Sequence, residues 1–313
     1  MYNRSVWSFL IASFMVVTYY YHFYSVDFIQ PARMAATMSP TAAYKVITMD
    51  DRQPAYRLAT FSGQKPYADG DRAQATVVNH LRLVENCKRD PSLLVVDVGA
   101  FLGDFGLYAA ACGCHVHLFE VQPDMVNSIH ASIAANNFSS SRVQLLHKAV
   151  SDLPANSILN FSVTGGSTTA ANGTLQASTI PLDEVPWPKN STIFLLKIDV
   201  EGFDLSALRS ASKLFRDRRI QHVIFEYTAY WTGRAAQNDL LPFVANNLGA
   251  KALYALHRTG REVYGPLDRT KLDQFYANHK NRGLQTDIYA TFVEQNSDEM
   301  IKAQPYDAVS SFA

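Results

Sequence analysis

Residues 93–106 read LLVVDVGAFLGDFG, and residues 193–202 read IFLLKIDVEG. Each is a continuous apolar run that stops in an acidic or glycine-bearing turn, as suits a strand covered by helices on both faces. The same enrichment in Val, Leu, Ile and Phe recurs at Val116–Glu120, Val143–Val150 and Val223–Tyr227. Helical segments at Asp104–Cys112, Asp124–Asn136 and Asp204–Phe215 separate these strands. Such alternation predicts an α/β fold with a doubly wound, mostly parallel sheet. In that architecture the ligand lies beyond the carboxyl ends of the strands. The candidate site is therefore Asp97 to Gly103, Glu120, Ser151 with Asp152, Asp199 to Gly202, and Glu226 with Tyr227.

The whole chain has 313 residues, 28 Lys and Arg against 28 Asp and Glu, 48% hydrophobic and 18% charged residues. That composition excludes a disordered protein. It also lacks the surplus of cations that binding a polyanion needs, so no nucleic-acid partner is expected. Three cysteines cannot build a dense disulfide framework, and Cys112-Gly113-Cys114, with no second cysteine pair, predicts no zinc site. Asp199, Glu201 and Glu226 are oxygen ligands of the kind Mg²⁺ takes, but no spacing demands a metal, and none is expected.

Val6 to Tyr24 is an uncharged stretch ending in interfacial tyrosines, long enough to cross a bilayer. It lacks the small residues of a cleavage site, so residues 1–28 are expected to form an uncleaved signal anchor; cleavage instead would give a secreted protein. Arg4 on the short side favours a single-pass protein with its domain on the lumenal side of the secretory pathway. Of the sequons at Asn3, Asn137, Asn160, Asn172 and Asn190, the four that follow the anchor lie on that side and support the placement. Residues 29–70 carry Pro31, Pro40, Pro54 and Pro66 with no sustained period and are expected to be a stem. A helix is expected from Asp71, and the catalytic domain over 71–300, with 301–313 a tail. The Gly165–Gly173 run reads as an exposed loop.

The turn after the first strand places Gly99 and Gly103 around Ala100, Phe101 and Leu102. A dinucleotide fingerprint would need glycine where Phe101 stands, and Asp97 adds a negative charge that a pyrophosphate would not favour, so a cationic or zwitterionic nucleoside fits better. A nicotinamide-dependent oxidoreductase is disfavoured on that ground. Glu120, about twenty residues on, is placed to accept hydrogen bonds from a ribose.

The ordered series VDVGAFLGDFGLYAA, FE with a nearby proline, LDEV, LLKIDVEGFDLSALRSA and VIFEY resembles the FkbM-type S-adenosylmethionine-dependent methyltransferases over about residues 93–232. The resemblance implies a class I, Rossmann-like methyltransferase with a seven-stranded sheet and S-adenosylmethionine as cofactor. On it, Gly99, Ala100 and Gly103 line the methionine part, Asp97 holds the amino group, Glu120 the ribose and Asp152 the neighbourhood of the adenine. Val121 and Gln122 separate Glu120 from Pro123, where family members often have proline at once, and Phe101 is bulky for its place in the loop.

Methyl transfer to a hydroxyl needs an aligned acceptor and a group that takes its proton. Asp199 is the first candidate for that base, followed by Glu201 and Glu226, and Lys197 shares a strand face with Asp199. Tyr227, Tyr230 and Trp231 are candidates for stacking on an acceptor. The expected acceptor is a small molecule, carbohydrate or lipid-linked glycan. A non-enzymatic alternative is an anchored module that keeps the fold and has lost transfer.

Overall fold

The structure, a computed structural model, describes residues 44–61, 72–164, 167–170, 173–188, 191–308 and 311–312. The expected anchor at residues 6–24 lies outside the described residues. Among the described residues, no helix is long and apolar enough to cross a membrane.

The described chain opens with a hairpin of β1 (Lys45–Met49) and β2 (Tyr56–Thr60), followed by α1 (Arg72–His80) and α2 (Leu83–Arg89). Two βα units come next: β3 (Leu94–Val98) with α3 (Asp104–Cys112), and β4 (His115–Phe119) with α4 (Pro123–Ala135). After β5 (Val143–Leu146) the chain leaves the main sheet for β6 (Ala149–Val150), β7 (Ile158–Thr164), β8 (Ser167–Ala170) and β9 (Leu175–Ile180). It returns through β10 (Ile193–Ile198), α5 (Asp204–Arg209), α6 (Ser212–Arg216), β11 (Ile220–Thr228) and α7 (Gln237–Pro242). The described part closes with β12 (Ala252–Leu256), β13 (Val263–Tyr264), α8 (Leu272–Arg282) and β14 (Gln285–Thr291).

The main sheet has eight strands in the order β13-β12-β14-β11-β10-β3-β4-β5, one more than the seven expected. The addition is the two-residue β13, which pairs antiparallel with β12. The run from β11 to β5 is parallel, and β14 reverses against both β11 and β12. Alternation along each strand divides the core into two layers. Val95, Leu118, Leu195 and Ile224 pack with α1 to α4, whereas Val96, Leu196, Val223 and Phe225 pack with α5 to α8. That double coverage is why the two runs quoted at the outset are apolar without a break.

Four expectations are corrected. Val143–Val150 is two strands: it breaks at His147 and Lys148, and β6 pairs with β9 in a separate four-stranded sheet. Within the Gly165–Gly173 run, Ser167–Ala170 is a strand paired antiparallel with β7. The domain begins before residue 71, because the expected stem includes β1 and β2 with Met49, Tyr56 and Leu58 buried. Strand β2 docks on α4 through main-chain bonds: the Ala59 N–H donates to Ser132 Oγ at 2.8 Å, and Ser128 Oγ donates to the Ala59 carbonyl at 2.6 Å. The tail also packs on the domain, since Ile301 is buried, Gln304 bridges to Tyr264, and Phe312 meets the Tyr264 and His279 rings.

The sequence did not fix a cysteine pairing. Cys87 at the end of α2 and Cys114 just past α3 form a disulfide, and Cys112 is free and buried.

Candidate active site

The carboxyl ends of β3, β4, β6, β10 and β11 surround a cavity of about 580 Å³, within the range of small-molecule and cofactor sites. Its first wall is the turn after β3. The Gly99 and Ala100 N–H groups donate to the Phe119 carbonyl at 2.9 and 3.0 Å, tying this turn to the end of β4. Gly99 has φ +77°, and a Cβ there would stand 1.8 Å from the Asp199 carbonyl oxygen. Glycine is thus required because the turns after β3 and β10 touch at this point. Gly103 starts α3 just off the cavity wall, with Leu107 and Ile129 side chains against it.

Phe101, bulky for its place, adopts φ +53°, and its N–H donates to Glu120 Oε2 at 2.6 Å. Glu120 Oε1 accepts from the Val121 and Gln122 N–H groups, both at 2.8 Å. The two residues inserted before Pro123 therefore supply donors to the carboxylate. A carboxylate has about four acceptor positions, so three are spent on backbone and one is left for a ligand hydroxyl. Burial pushes the Glu120 pKa up to about 7 against the pull of those three N–H groups. Asp97 is 1% exposed; its Oδ2 accepts from the Gly106 N–H at 3.0 Å, and its Oδ1 is buried without a hydrogen-bond partner. Burial raises its pKa to about 6, with nearby Lys197 opposing.

At the exit of β6, Asp152 is exposed on the wall and its Oδ1 accepts from Ser206 Oγ of α5. Leu159 and Phe161 of β7 add an apolar side.

The turn after β10 carries Asp199 and Glu201. Asp199 is 38% exposed at its side chain, faces the cavity, and pairs through Oδ2 with Lys197 Nζ at 3.3 Å, the partnership that their strand spacing suggested. Glu201 Oε2 lies 3.8 Å from Arg234 Nη1, and the Arg234 guanidinium sits 3.8 Å from the centre of the Trp231 ring. A Cβ on Gly202 would meet that ring at 2.4 Å. Trp231 is thus occupied in packing the turn. Tyr227 is fully buried beside Phe275, and neither it, Tyr230 nor Trp231 lines the cavity, so the expected aromatic platform is absent from the cavity. Asp204, which the sequence reading left without a role, is buried and accepts from the Gly202 N–H at 3.1 Å, bracing the same turn.

Glu226 is 5% exposed on the far wall. Its Oε1 accepts from Gln285 Nε2 and from Thr228 Oγ1, and its Oε2 has no hydrogen-bond partner. Burial, and then the charges of Asp199, Asp204, Glu201 and Asp287, push its pKa well above the carboxylate range. Asp199, Glu201 and Glu226 therefore do converge on one cavity with Asp97, Gly99, Ala100, Glu120 and Asp152. Sequence reasoning missed Gln74, Lys148, Arg258, Gln285 and Asp287, which also line it. Among the described residues, no group of three or more His, Cys, Asp or Glu side chains is arranged to hold a metal ion.

The family model for the methyltransferase FkbM domain matches residues 97–255, half of the chain and the whole run from Asp97 to Glu226. The chain belongs to the FkbM methyltransferase family. It is an S-adenosylmethionine-dependent methyltransferase. The FkbM cavity suits that cofactor: it is lined by more carboxylates than cations, matching a sulfonium, and the unpartnered Asp97 Oδ1 and the fourth acceptor position of Glu120 are open to donors. No curated protein matches the sequence. Similar solved structures include the N-terminal domain of human METTL16 in complex with SAH, at 10% identity, 71% of each chain covered and a TM-score of 0.38. An rRNA methylase from Streptococcus thermophilus is similar at 13% identity over 69% of this chain and 95% of that one, with a TM-score of 0.39. Likenesses this remote say nothing of the acceptor.

Proposed function

We propose that this FkbM methyltransferase methylates a hydroxyl oxygen of a small molecule, carbohydrate or glycolipid, with Asp199 taking the hydroxyl proton. The observation that carries this is the position of Asp199: it faces the cavity, is solvent-accessible, and is held by Lys197 at 3.3 Å. Lys197 fixes this carboxylate in place, and a carboxylate that faces the acceptor is the kind of group that takes a hydroxyl proton. The bound cofactor supplies a methyl group on a positively charged sulfur. When that methyl goes to an acceptor hydroxyl, Asp199 would take the proton that the hydroxyl gives up.

Cofactor-binding roles in this proposal fall to Asp97 for the amino group, Glu120 for one ribose hydroxyl, Gly99 and Ala100 for the methionine part, and Asp152 for the adenine end. Glu201, held by Arg234, and Glu226 complete the acceptor side. The test is calorimetry of S-adenosylmethionine on the full chain, followed by incubation with labelled cofactor and fractionated membranes and glycans. Label in an alkali-stable ether of a glycan or lipid is expected. Binding of cofactor with label appearing only on nitrogen, or with no labelled product in any fraction, overturns the O-methyltransferase proposal.

We also propose that residues 1–28 anchor the chain with its catalytic domain in the secretory lumen. The Cys87–Cys114 disulfide supports this, since such bonds persist in oxidising compartments, as do the exposed sequon residues Asn137 and Asn160. Protease added to intact microsomes is expected to spare the domain; digestion of the domain overturns the placement.

A further inference from the structure

Beyond the cofactor turns, one wall of the cavity is built from side chains that the family match leaves without a role. Strands β11 and β14 run antiparallel with Glu226 opposite Asp287 and Thr228 opposite Gln285. Gln285 Nε2 donates to Glu226 Oε1, and Gln74 Nε2 from α1 donates to Asp287 Oδ2 at 2.7 Å. Each amide nitrogen spends a hydrogen on a carboxylate, which turns the rest of the amide group toward other partners. Glu226 Oε2 is buried at this wall with no hydrogen-bond partner, a condition that costs free energy unless something else supplies the contact.

We propose that Glu226, Gln285, Gln74 and Asp287 form the acceptor subsite and that it takes a neutral, hydroxyl-rich ring, a sugar presenting adjacent hydroxyls. This rests on the O-methyltransferase reading of the same cavity. A hydroxyl both donates and accepts, so it satisfies Glu226 Oε2 whether that carboxyl is charged or neutral, and it satisfies an amide from either side. An anionic acceptor is repelled, because the carboxylates of Asp199, Glu201 and Asp287 line the same cavity. A cationic acceptor would share the cavity with a sulfonium of like charge. Arg258 also lines the cavity, and it is outnumbered there by the acids.

The test uses the full chain loaded with S-adenosylhomocysteine and saturation-transfer NMR with three sets of probes: methyl glycosides of neutral hexoses and pentoses, the corresponding uronic acids, and the 2-amino analogues. Neutral glycosides are expected to bind at least tenfold more tightly than either charged set. In Gln285→Ala that affinity is expected to fall about tenfold, and in Glu226→Ala by at least as much, with S-adenosylhomocysteine affinity within threefold of wild type in both. Preference for the uronic acids or the amino sugars overturns the subsite, as does a Gln285→Ala variant that binds neutral glycosides unchanged. Failure of every glycoside while S-adenosylhomocysteine still binds overturns the subsite and leaves the methyltransferase standing. Failure of the folded wild type to bind S-adenosylhomocysteine overturns the cofactor reading and the subsite with it.

Discussion

The two ends of the cavity hold their carboxylates by different means. At the cofactor end, Glu120 accepts from the main chain of Phe101, Val121 and Gln122, and Asp97 from the main chain of Gly106. At the acceptor end, Glu226 and Asp287 are held by the side-chain amides of Gln285 and Gln74, residues 59 and 213 positions away in the chain. Main-chain donors are indifferent to side-chain identity, so bulky Phe101 performs there as well as a smaller residue would. Amide donors can be altered one substitution at a time without moving a strand. The cofactor end is thus fixed by backbone geometry, and the acceptor end is where specificity can change.

The largest expected effect lies between the two ends. Asp199→Asn should reduce turnover by about 10²–10⁴-fold with cofactor affinity within threefold, as for loss of a general base; single-turnover kinetics with calorimetry checks it, and loss of cofactor affinity instead would move Asp199 to the cofactor end. Glu120→Ala should weaken S-adenosylmethionine binding by about 100-fold, because three buried N–H groups lose their acceptor at once and the ribose loses its own; an effect under threefold on the calorimeter would sink the idea that main-chain anchoring builds that end.

A smaller loss is expected from the hairpin. Arg52 Nη2 pairs with Asp104 Oδ2 at 2.8 Å, and the Tyr56 hydroxyl donates to Asp104 Oδ1, so the β1–β2 unit grips the first residue of α3, itself on the cavity wall. Arg52→Ala together with Tyr56→Phe should weaken cofactor binding about tenfold, as for two lost hydrogen bonds of which one is partly exposed. Unchanged affinity would show the hairpin to be mere covering.

The smallest effect is a pH dependence. Glu120 holds its proton to about pH 7 when folded, above its ordinary value near 4.5, so the folded protein binds a proton that the unfolded chain has released, and stability falls as pH rises through that window. Between pH 6.5 and 7.5 wild type should lose roughly 0.7 kcal/mol more stability in urea titrations than Glu120→Gln. Parallel curves would mean that Glu120 is ionised throughout.

The same contrast explains what the sequence disclosed. Asp97, Gly99 and Glu120 were legible because a strand, its turn and its carboxylate are contiguous or nearly so. Gln74 and Gln285 were not, since nothing near Gln74 in the chain indicates that it will meet Asp287. The eighth strand, only Val263 and Tyr264, is too short to show a period of its own. The hairpin at Lys45–Thr60 was hidden for another reason: in KVITM only Met49 is buried and the apolar Val46 is exposed, so the apolar–polar alternation of a half-covered strand is blurred. Gly103 shows why a glycine's role is hard to read: glycine at the start of a helix and glycine beside a ligand look alike in a sequence. The aromatic run Tyr227 to Trp231 misled in the same way, since a ring that packs a turn has the composition of a ring that holds an acceptor.

The disulfide between Cys87 and Cys114 spans 27 positions, and the ring it closes contains all of β3, the glycine turn and α3. A peptide bond cut anywhere from residue 88 to 113 therefore leaves two fragments of one molecule still joined through sulfur. On a non-reducing gel, a protease that nicks the glycine turn once leaves the band where it was, and only reductant reveals the break.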